Sequence, residues 1–145
     1  MPASDMPRPS TGGTASAAIS NLIVRLFSQY TGRGPTKART IVNEDMITVV
    51  LQDTLTRAEI TLVEKDYQPL VLLTRRTFQD VMGDEMIAGV EEVTGRTVIA
   101  FLSANHIDPD IAVETFLLAP IAPPGLVHNA DAGEVEARQR DLDPA

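Results

Sequence analysis

One pattern occurs twice along this chain: an apolar helical stretch runs into the tripeptide Thr-Gly-Arg and is followed by two short strand-like segments. The tripeptides are Thr31-Gly32-Arg33 and Thr94-Gly95-Arg96. Glycine directly after an apolar helical repeat is a stop signal for a helix. The chain is therefore expected to fold as two helix–strand–strand units, which restricts the topology more than any other feature of the sequence.

The first unit is bounded by helix and turn signals. Apolar residues recur at three- and four-residue spacings and predict a helix over residues 15–30. Runs of β-branched residues predict strands over 37–42 and 46–51, joined by turn residues 43–45. These two strands are expected to form a hairpin.

The second unit is preceded by a short extra helix. Residues 56–59 have the Thr-x-x-Glu spacing of a capping box, which predicts a helix over 57–65. Pro69 suits the start of a long helix, because its missing N–H has no helical partner there. Gly83 favours an interruption of that helix, since glycine lowers helix propensity by about 1 kcal/mol relative to alanine. The apolar stripe of the long helix comprises Val71, Phe78, Met82, Met86, Val90 and Val93.

A closing hairpin over 97–103 and 111–119 completes the order α-β-β-α-α-β-β. This order predicts an α+β fold: a two-layer sandwich in which two hairpins form a four-stranded, largely antiparallel sheet with the helices on one face. The folded domain is expected over 15–120. Residues 1–14, rich in Pro, Ser, Gly and Thr, and the acidic residues 121–145 are expected to be disordered.

Composition excludes several classes of function. A net charge of −8 opposes general nucleic-acid binding, because the phosphate backbone is repelled. The absence of cysteine excludes disulfides, iron–sulfur clusters and a thiol nucleophile. No cofactor is expected. No apolar run approaches the roughly 20 residues of a membrane-spanning helix, so we expect a cytoplasmic protein without direct membrane insertion.

A basic, glycine-bearing loop after the first helix is a candidate anion site. Arg33, Gly34, Lys37 and Arg39 could surround an anion with backbone N–H groups and cationic side chains. The loop lacks the P-loop pattern and follows a helix C-terminus, where the helix dipole favours cations over anions. The alternative is that these cations only complement the helix end.

The loop of the last hairpin is a second candidate site. His106, Asp108 and Asp110 stand at alternating positions, so in an extended segment they would face one way. Three such ligands could contribute to a divalent-metal site, but a complete site needs more ligands than this loop offers, and no metal is expected. The alternative is turn chemistry at the Asp-Pro-Asp sequence. Any proton-transfer hypothesis begins with His106.

Two adjacent arginines lie within the long helix. One of Arg75 and Arg76 is expected to point outward and to pair with Gln79 or Asp80 one turn on. The other is expected to extend along the edge between helix and sheet, with its charged end near water. A solvated face is the favoured interpretation, and binding of a partner is the alternative.

Large apolar side chains on the strands favour self-association. Leu51, Phe101 and Phe116 are difficult to bury within one small domain. Exposed apolar patches of that size usually mark a contact surface. The sheet face opposite the helices either meets water with Thr and Arg or is covered by a second copy, and we favour the homodimer.

The order and spacing of these segments resemble the MpsC-type domain family over roughly residues 16–119. That family, formerly one of unknown function, takes its name from a Na⁺-translocating, membrane-potential-generating system. The resemblance implies a small soluble member beside a membrane component similar to the cation-pumping subunits of respiratory complexes, in systems linked to inorganic carbon uptake. It implies no catalytic residues. It is carried by Gly32-Arg33-Gly34-Pro35, Leu55-Thr56-Arg57-Ala58-Glu59, Thr94-Gly95-Arg96 and the two hairpins.

Three functions follow, in order of preference. The first is a non-enzymatic accessory or regulatory domain of a membrane cation- or bicarbonate-transport system, held at the inner face of the membrane by an integral-membrane transporter. The second is a sensor of a small anion that uses the basic loop. The third is an enzyme centred on His106.

Overall fold

Seven elements in the expected order make up the computed structural model, which describes residues 11–121. The first helix begins at Thr11, so residues 11–14, which were expected in the N-terminal tail, are helical. The remaining residues of the two expected tails, 1–10 and 122–145, lie outside the described residues. The elements are α1 (Thr11–Thr31), β1 (Lys37–Asn43), β2 (Met46–Gln52), α2 (Arg57–Glu64), α3 (Gln68–Thr94), β3 (Val98–His106) and β4 (Ile111–Leu118).

The four strands form one antiparallel sheet in the order β1-β2-β4-β3. Each hairpin contributes its own pair of strands, and the hairpins join through their second strands. In that central pairing Ile47 lies opposite Phe116 and Leu51 opposite Ala112. The helices α1 and α3 pack against each other and against β1 and β3 respectively. The predicted α+β sandwich with helices on one face is therefore confirmed.

The core lies between the sheet and these two helices. Along β4 buried residues alternate with half-buried ones, as expected for a strand with one face packed on a core. Leu51 and Phe116 are fully buried within the single chain, and the half-buried ring of Phe101 stacks on Phe116 with centroids 5.0 Å apart. The expectation that these side chains need a second copy to cover them is therefore wrong.

The two Thr-Gly-Arg tripeptides end their helices in the same way. Gly32 and Gly95 have φ values of 80° and 67°, in the left-handed region that glycine adopts without strain. The hydroxyls of Thr31 and Thr94 each donate to the carbonyl four residues earlier, at 2.6 and 2.8 Å. The repeated motif is thus a repeated helix end, with equivalent geometry in both halves of the fold.

Helix α3 is continuous, so the predicted interruption at Gly83 is absent. A Cβ atom on Gly83 would lie 3.4 Å from the ring of Phe101. A Cβ atom on Gly89 would lie only 2.2 Å from Cδ2 of Leu22 on α1. Gly89 therefore stands where α3 approaches α1 closely, whereas a methyl group at Gly83 would make an ordinary contact with Phe101.

The buried side of α3 differs in part from the predicted stripe. Val71, Met82, Met86 and Val90 are buried as predicted, but Phe78 and Val93 are partly exposed. Arg75 and Gln79 take part of the buried side instead, with 4% and 2% of their surface accessible. Two polar side chains of α3 therefore point into the layer between helices and sheet.

Candidate functional site

Arg75 is the centre of a buried polar network. Its Nη1 donates to Oε1 of Glu59 on α2 at 3.0 Å, and its Nη2 donates to the hydroxyl of Thr54 at 2.6 Å. Its Nε donates to Oδ1 of Asn105 on β3 at 3.0 Å. A guanidinium suits this position, because its planar fork supplies donors in three directions and stays charged when buried.

Gln79, one turn after Arg75, continues the network to the sheet. Its Nε2 donates to Asn105 Oδ1 at 3.0 Å and to Glu114 Oε1 at 2.9 Å, and its Oε1 accepts from Asn105 Nδ2 at 2.7 Å. Ser103 Oγ donates to the second oxygen of Glu114. The side chains from Glu59 to Glu114 thus form a continuous set of hydrogen bonds that joins α2, α3, β3 and β4.

Glu114 is the fully buried acid of this network. Burial raises the pKa of its carboxyl to about 7, because the charged form loses its hydration. Hydrogen bonds from Ser103 and Gln79 and the positive charge of Arg75 lower the pKa, but by less than burial raises it. The Glu114 carboxyl therefore takes up and releases a proton near neutral pH.

A cavity of about 260 Å³ lies over one end of the network, between the C-terminal part of α1, α2 and α3. Phe27, Leu62, Phe78 and Met82 contribute to its mostly apolar lining, and Arg75 lies among the polar residues that border it. Because the nitrogen atoms of Arg75 already donate to protein groups, the cavity offers an apolar space and few free donors.

The candidate anion site is only partly brought together. Lys37 and Arg39 lie exposed on edge strand β1 and border one shallow hollow with Gln52 of β2. Arg33 is exposed in the preceding loop, and Gly34 lies where a Cβ would come within 2.4 Å of Ser28 Oγ. Neither Arg33 nor Gly34 borders the hollow. Anion binding by this set stays a prediction.

The three candidate residues of the last hairpin loop have different environments. His106 Nδ1 lies 2.7 Å from the carbonyl oxygen of Pro109, within its own turn. The Asp110 carboxylate accepts from Thr54 Oγ1 at 3.1 Å and from the backbone N–H of Leu55 at 2.9 Å. These bonds attach the last hairpin loop to the segment that connects β2 and α2. Asp108 is exposed. Among residues 11–121 no group of three or more His, Asp or Glu side chains is arranged to hold a metal ion.

The central network was largely missed at the level of sequence. Arg75 is buried between helices and sheet and pairs with Glu59 of α2, so the prediction that its charged end lies near water is wrong, and Arg76 is the exposed one of the two arginines. The sequence signal for Glu114 was its position: it is two residues from both Ala112 and Phe116, so it lies on the same, buried face of β4. A charged residue in the buried phase of a strand indicates a partnered polar group inside the core.

One family model matches this chain. It is the model described as Na⁺-translocating membrane potential-generating system (MpsC), and it matches residues 11–120, the whole of the described domain except its last residue. No curated protein and no solved structure is a significant match.

Proposed function

The chain belongs to the MpsC family, and from this membership we propose that it is a non-enzymatic accessory subunit of a Na⁺-translocating, membrane-potential-generating system. In this proposal it acts at the cytoplasmic face of the membrane. The transported species is a cation or bicarbonate, in keeping with the resemblance to systems linked to inorganic carbon uptake.

The disposition of polar and apolar groups supports a binding role. The two acids of the network are engaged inside the domain: the partly buried Glu59 accepts from Arg75, and the buried Glu114 accepts from Gln79. By contrast, large apolar side chains are exposed on both the sheet and α3. A surface of this kind is typical of proteins that bind other macromolecules.

A membrane partner is part of the proposal. No helix within residues 11–121 is long and apolar enough to cross a membrane. The net charge of −8 disfavours binding to anionic lipid and favours the Lys- and Arg-rich cytoplasmic loops of integral membrane proteins. The proposed contact is therefore with an integral-membrane transporter and not with lipid.

We also propose that the protein forms a homodimer through the sheet face that the helices leave uncovered. The outward residues of the two central strands include no charged side chain: they are Met46, Thr48, Val50 and Gln52 on β2, and Ile111, Val113, Thr115 and Leu117 on β4. A solvated antiparallel sheet normally presents polar and charged residues on that face. Four strands of about seven residues give a face of about 450 Å², so a contact between two such faces covers about 900 Å², which places the proposed dimer in the weak, transient class below about 1,200 Å².

Co-purification tests the accessory role. The tagged chain, isolated from detergent-solubilised membranes of its own cells, is expected to retain a many-helix membrane protein at constant stoichiometry. Cells that lack the chain are expected to generate a smaller Na⁺-dependent membrane potential. A chain that elutes alone, together with an unchanged membrane potential in the deletion strain, would contradict the proposal.

Anion sensing is a second candidate function, favoured by the hollow that Lys37 and Arg39 share. A nearby carboxylate opposes it, because Asp53 accepts a hydrogen bond from Thr36 at the border of the same hollow. Bicarbonate or phosphate is expected to raise the melting temperature of the wild type and not of the variant Lys37→Ala plus Arg39→Ala. Equal responses of both proteins would exclude the site.

A further inference from the structure

The outward side of the first half of α3 is apolar. Leu70, Leu73 and Val81 expose 47%, 62% and 57% of their surface, and Phe78 exposes 38%. Leu70, Leu73 and Val81 lie within about 80° of one another around the helix axis, opposite the buried side described above, and Phe78 lies between this side and the buried one. A helix on the surface of a domain normally has charged and polar residues there, so α3 presents a second, uncovered apolar stripe.

This stripe is continuous with the cavity between α1, α2 and α3. Phe78 borders both the cavity and a depression formed with Leu73 and Val81. The resulting α2–α3 groove is defined by Leu62 and Phe78 at the cavity and by Leu73 and Val81 on the stripe. It is a concave apolar surface with an adjoining ridge, which is the shape that accepts the apolar face of an amphipathic helix.

The size and polarity of the cavity indicate what enters it. Its volume of about 260 Å³ is below the range of about 300–1,000 Å³ that is typical of small-molecule sites. It has room for apolar side chains of a partner. Arg75 and Gln79 at its border are hydrogen-bonded within the protein, so an apolar group can enter without leaving them unpaired.

Acidic residues make one end of the groove negatively charged. Asp80, Asp84 and Glu85 are exposed, and Asp84 and Glu85 flank the stripe at its C-terminal end. The Glu85 carboxylate also accepts the hydroxyl hydrogen of Tyr30, a cavity residue. Arg76 is exposed at the edge of the stripe away from the cavity. An occupant is therefore favoured if it carries Lys or Arg beside the acidic end.

We propose that the α2–α3 groove binds a basic amphipathic helix of a partner protein, which inserts large apolar side chains into the cavity and places cations beside Asp84 and Glu85. This rests on the proposed function, in which the helix is a cytoplasmic segment of the membrane component. The same acids disfavour an anionic bilayer, and they disfavour the chain's own segment 131–143, which holds five acids and two arginines.

A pair of designed peptides tests the chemistry of the groove. Both are about 20 residues long, enough to form a helix, with Leu at spacings of three and four; one carries Lys and the other Glu at the remaining positions. The Lys peptide is expected to bind the full chain, and Leu73→Lys plus Val81→Lys is expected to weaken binding at least tenfold. Ile99→Lys, at an apolar residue on β3 that is 63% exposed, is the matched control and is expected to leave binding unchanged.

Cross-linking identifies the occupant in cells. The chain has no cysteine, so Leu73→Cys carries a single thiol to which a photoactivatable cross-linker can be attached. The control is Ala17→Cys, an exposed position in the N-terminal half of α1, away from the cavity. A membrane-protein adduct at Leu73→Cys alone supports the proposal. An adduct with a second copy of the chain would overturn it. So would equal binding of the Glu peptide. A third contradicting result is that the wild type binds phosphatidylglycerol vesicles and that Leu73→Lys plus Val81→Lys abolishes this binding.

The outcomes separate this inference from the accessory role. If the wild type co-purifies with the membrane component and Leu73→Lys plus Val81→Lys does so equally, the groove proposal fails and the accessory role stands. If the Lys peptide binds through the groove but no membrane protein co-purifies, the accessory role fails and the groove stands as a helix-binding site.

Discussion

Glu114 places a carboxyl group on the buried face of β4, where apolar side chains are normally found. The acid is compatible with the core because Gln79 and Ser103 donate to its two oxygens. It nevertheless titrates near pH 7, since burial disfavours its charge more than these donors favour it. The residue therefore makes the stability of the domain depend on pH in the physiological range.

The free energy of unfolding is expected to fall as the pH rises from 4.5 to about 7. In that window the unfolded chain has released the Glu114 proton while the folded chain still holds it, so each rise in pH favours the unfolded state. The loss amounts to about 3 kcal/mol and is complete above pH 7. Glu114→Gln is expected to remove this contribution and to be the more stable protein at pH 8.

Urea unfolding at pH 5, 6, 7 and 8 measures this difference. Glu92→Gln, at an exposed acid of α3, is the control and is expected to keep the wild-type dependence on pH. An unchanged slope in Glu114→Gln would show that another group causes it.

The buried Arg75 pairs with the partly buried Glu59, and loss of this pair is expected to be costly. Arg75→Met leaves the Thr54 hydroxyl without its donor and leaves the Glu59 carboxylate with only the Thr56 N–H, at a cost of about 3 kcal/mol, the lower end of the range for breaking a buried pair. Arg76→Met removes the same charge from the neighbouring, exposed position and is expected to change stability by less than about 0.5 kcal/mol. Urea unfolding compares the two variants; equal effects would contradict the assignment of Arg75 as the buried member.

At the scale of elements, α3 is apolar on two sides, and tertiary packing decides which side is buried. Two glycines lie where α3 faces neighbouring elements. Gly83 meets the ring of Phe101 and Gly89 meets Leu22. The long helix is thereby fixed between α1 and the sheet, and the side with Leu73 and Val81 is left for a partner.

The two glycines are expected to respond differently to substitution by alanine. Gly83→Ala places a methyl group at an ordinary contact distance of 3.4 Å from Phe101 and is expected to stabilise by about 0.5–1 kcal/mol, through higher helix propensity. Gly89→Ala brings Cβ within 2.2 Å of Leu22 Cδ2, so that side chain must move and the gain is reduced or reversed. Thermal unfolding of both variants tests the order; a less stable Gly83→Ala would contradict it.

At the scale of the whole molecule, the uncovered sheet face governs the proposed self-association. Thr48 lies near the centre of that face, with its hydroxyl 3.4 Å from that of Thr115. In a symmetric face-to-face dimer, Thr48→Lys places two like charges in the contact, and we expect it to raise the dissociation constant at least tenfold. Sedimentation velocity over a concentration series measures this constant.

Gln29→Lys makes the same change of charge at an exposed site on α1 and serves as its control. If the wild type is monomeric at all concentrations, the dimer proposal is wrong. If Thr48→Lys dimerises as well as the wild type, the contact lies elsewhere on the molecule.

The order of elements, the two hairpins, the capping box and the repeated helix ends could all be predicted from the sequence. The capping box formed as expected, with Glu59 accepting from the Thr56 N–H and Thr56 accepting from the Glu59 N–H. Local chemistry suffices for such features, because hydrophobic period, caps and glycine conformation are set by residues a few positions apart. The doubled pattern predicted one sheet built from both hairpins, but the joining through β2 and β4 was decided by the tertiary structure.

Only the tertiary structure decided the candidate site. The network joins Thr54, Glu59, Arg75, Asn105 and Glu114, which are far apart in the chain and meet because α3 crosses the sheet at that place. The same packing gave Glu59 two roles, one in the cap of α2 and one in the ion pair. Which of several polar residues become partners, and which apolar side of a helix stays uncovered, depends on contacts between distant segments that no local pattern encodes.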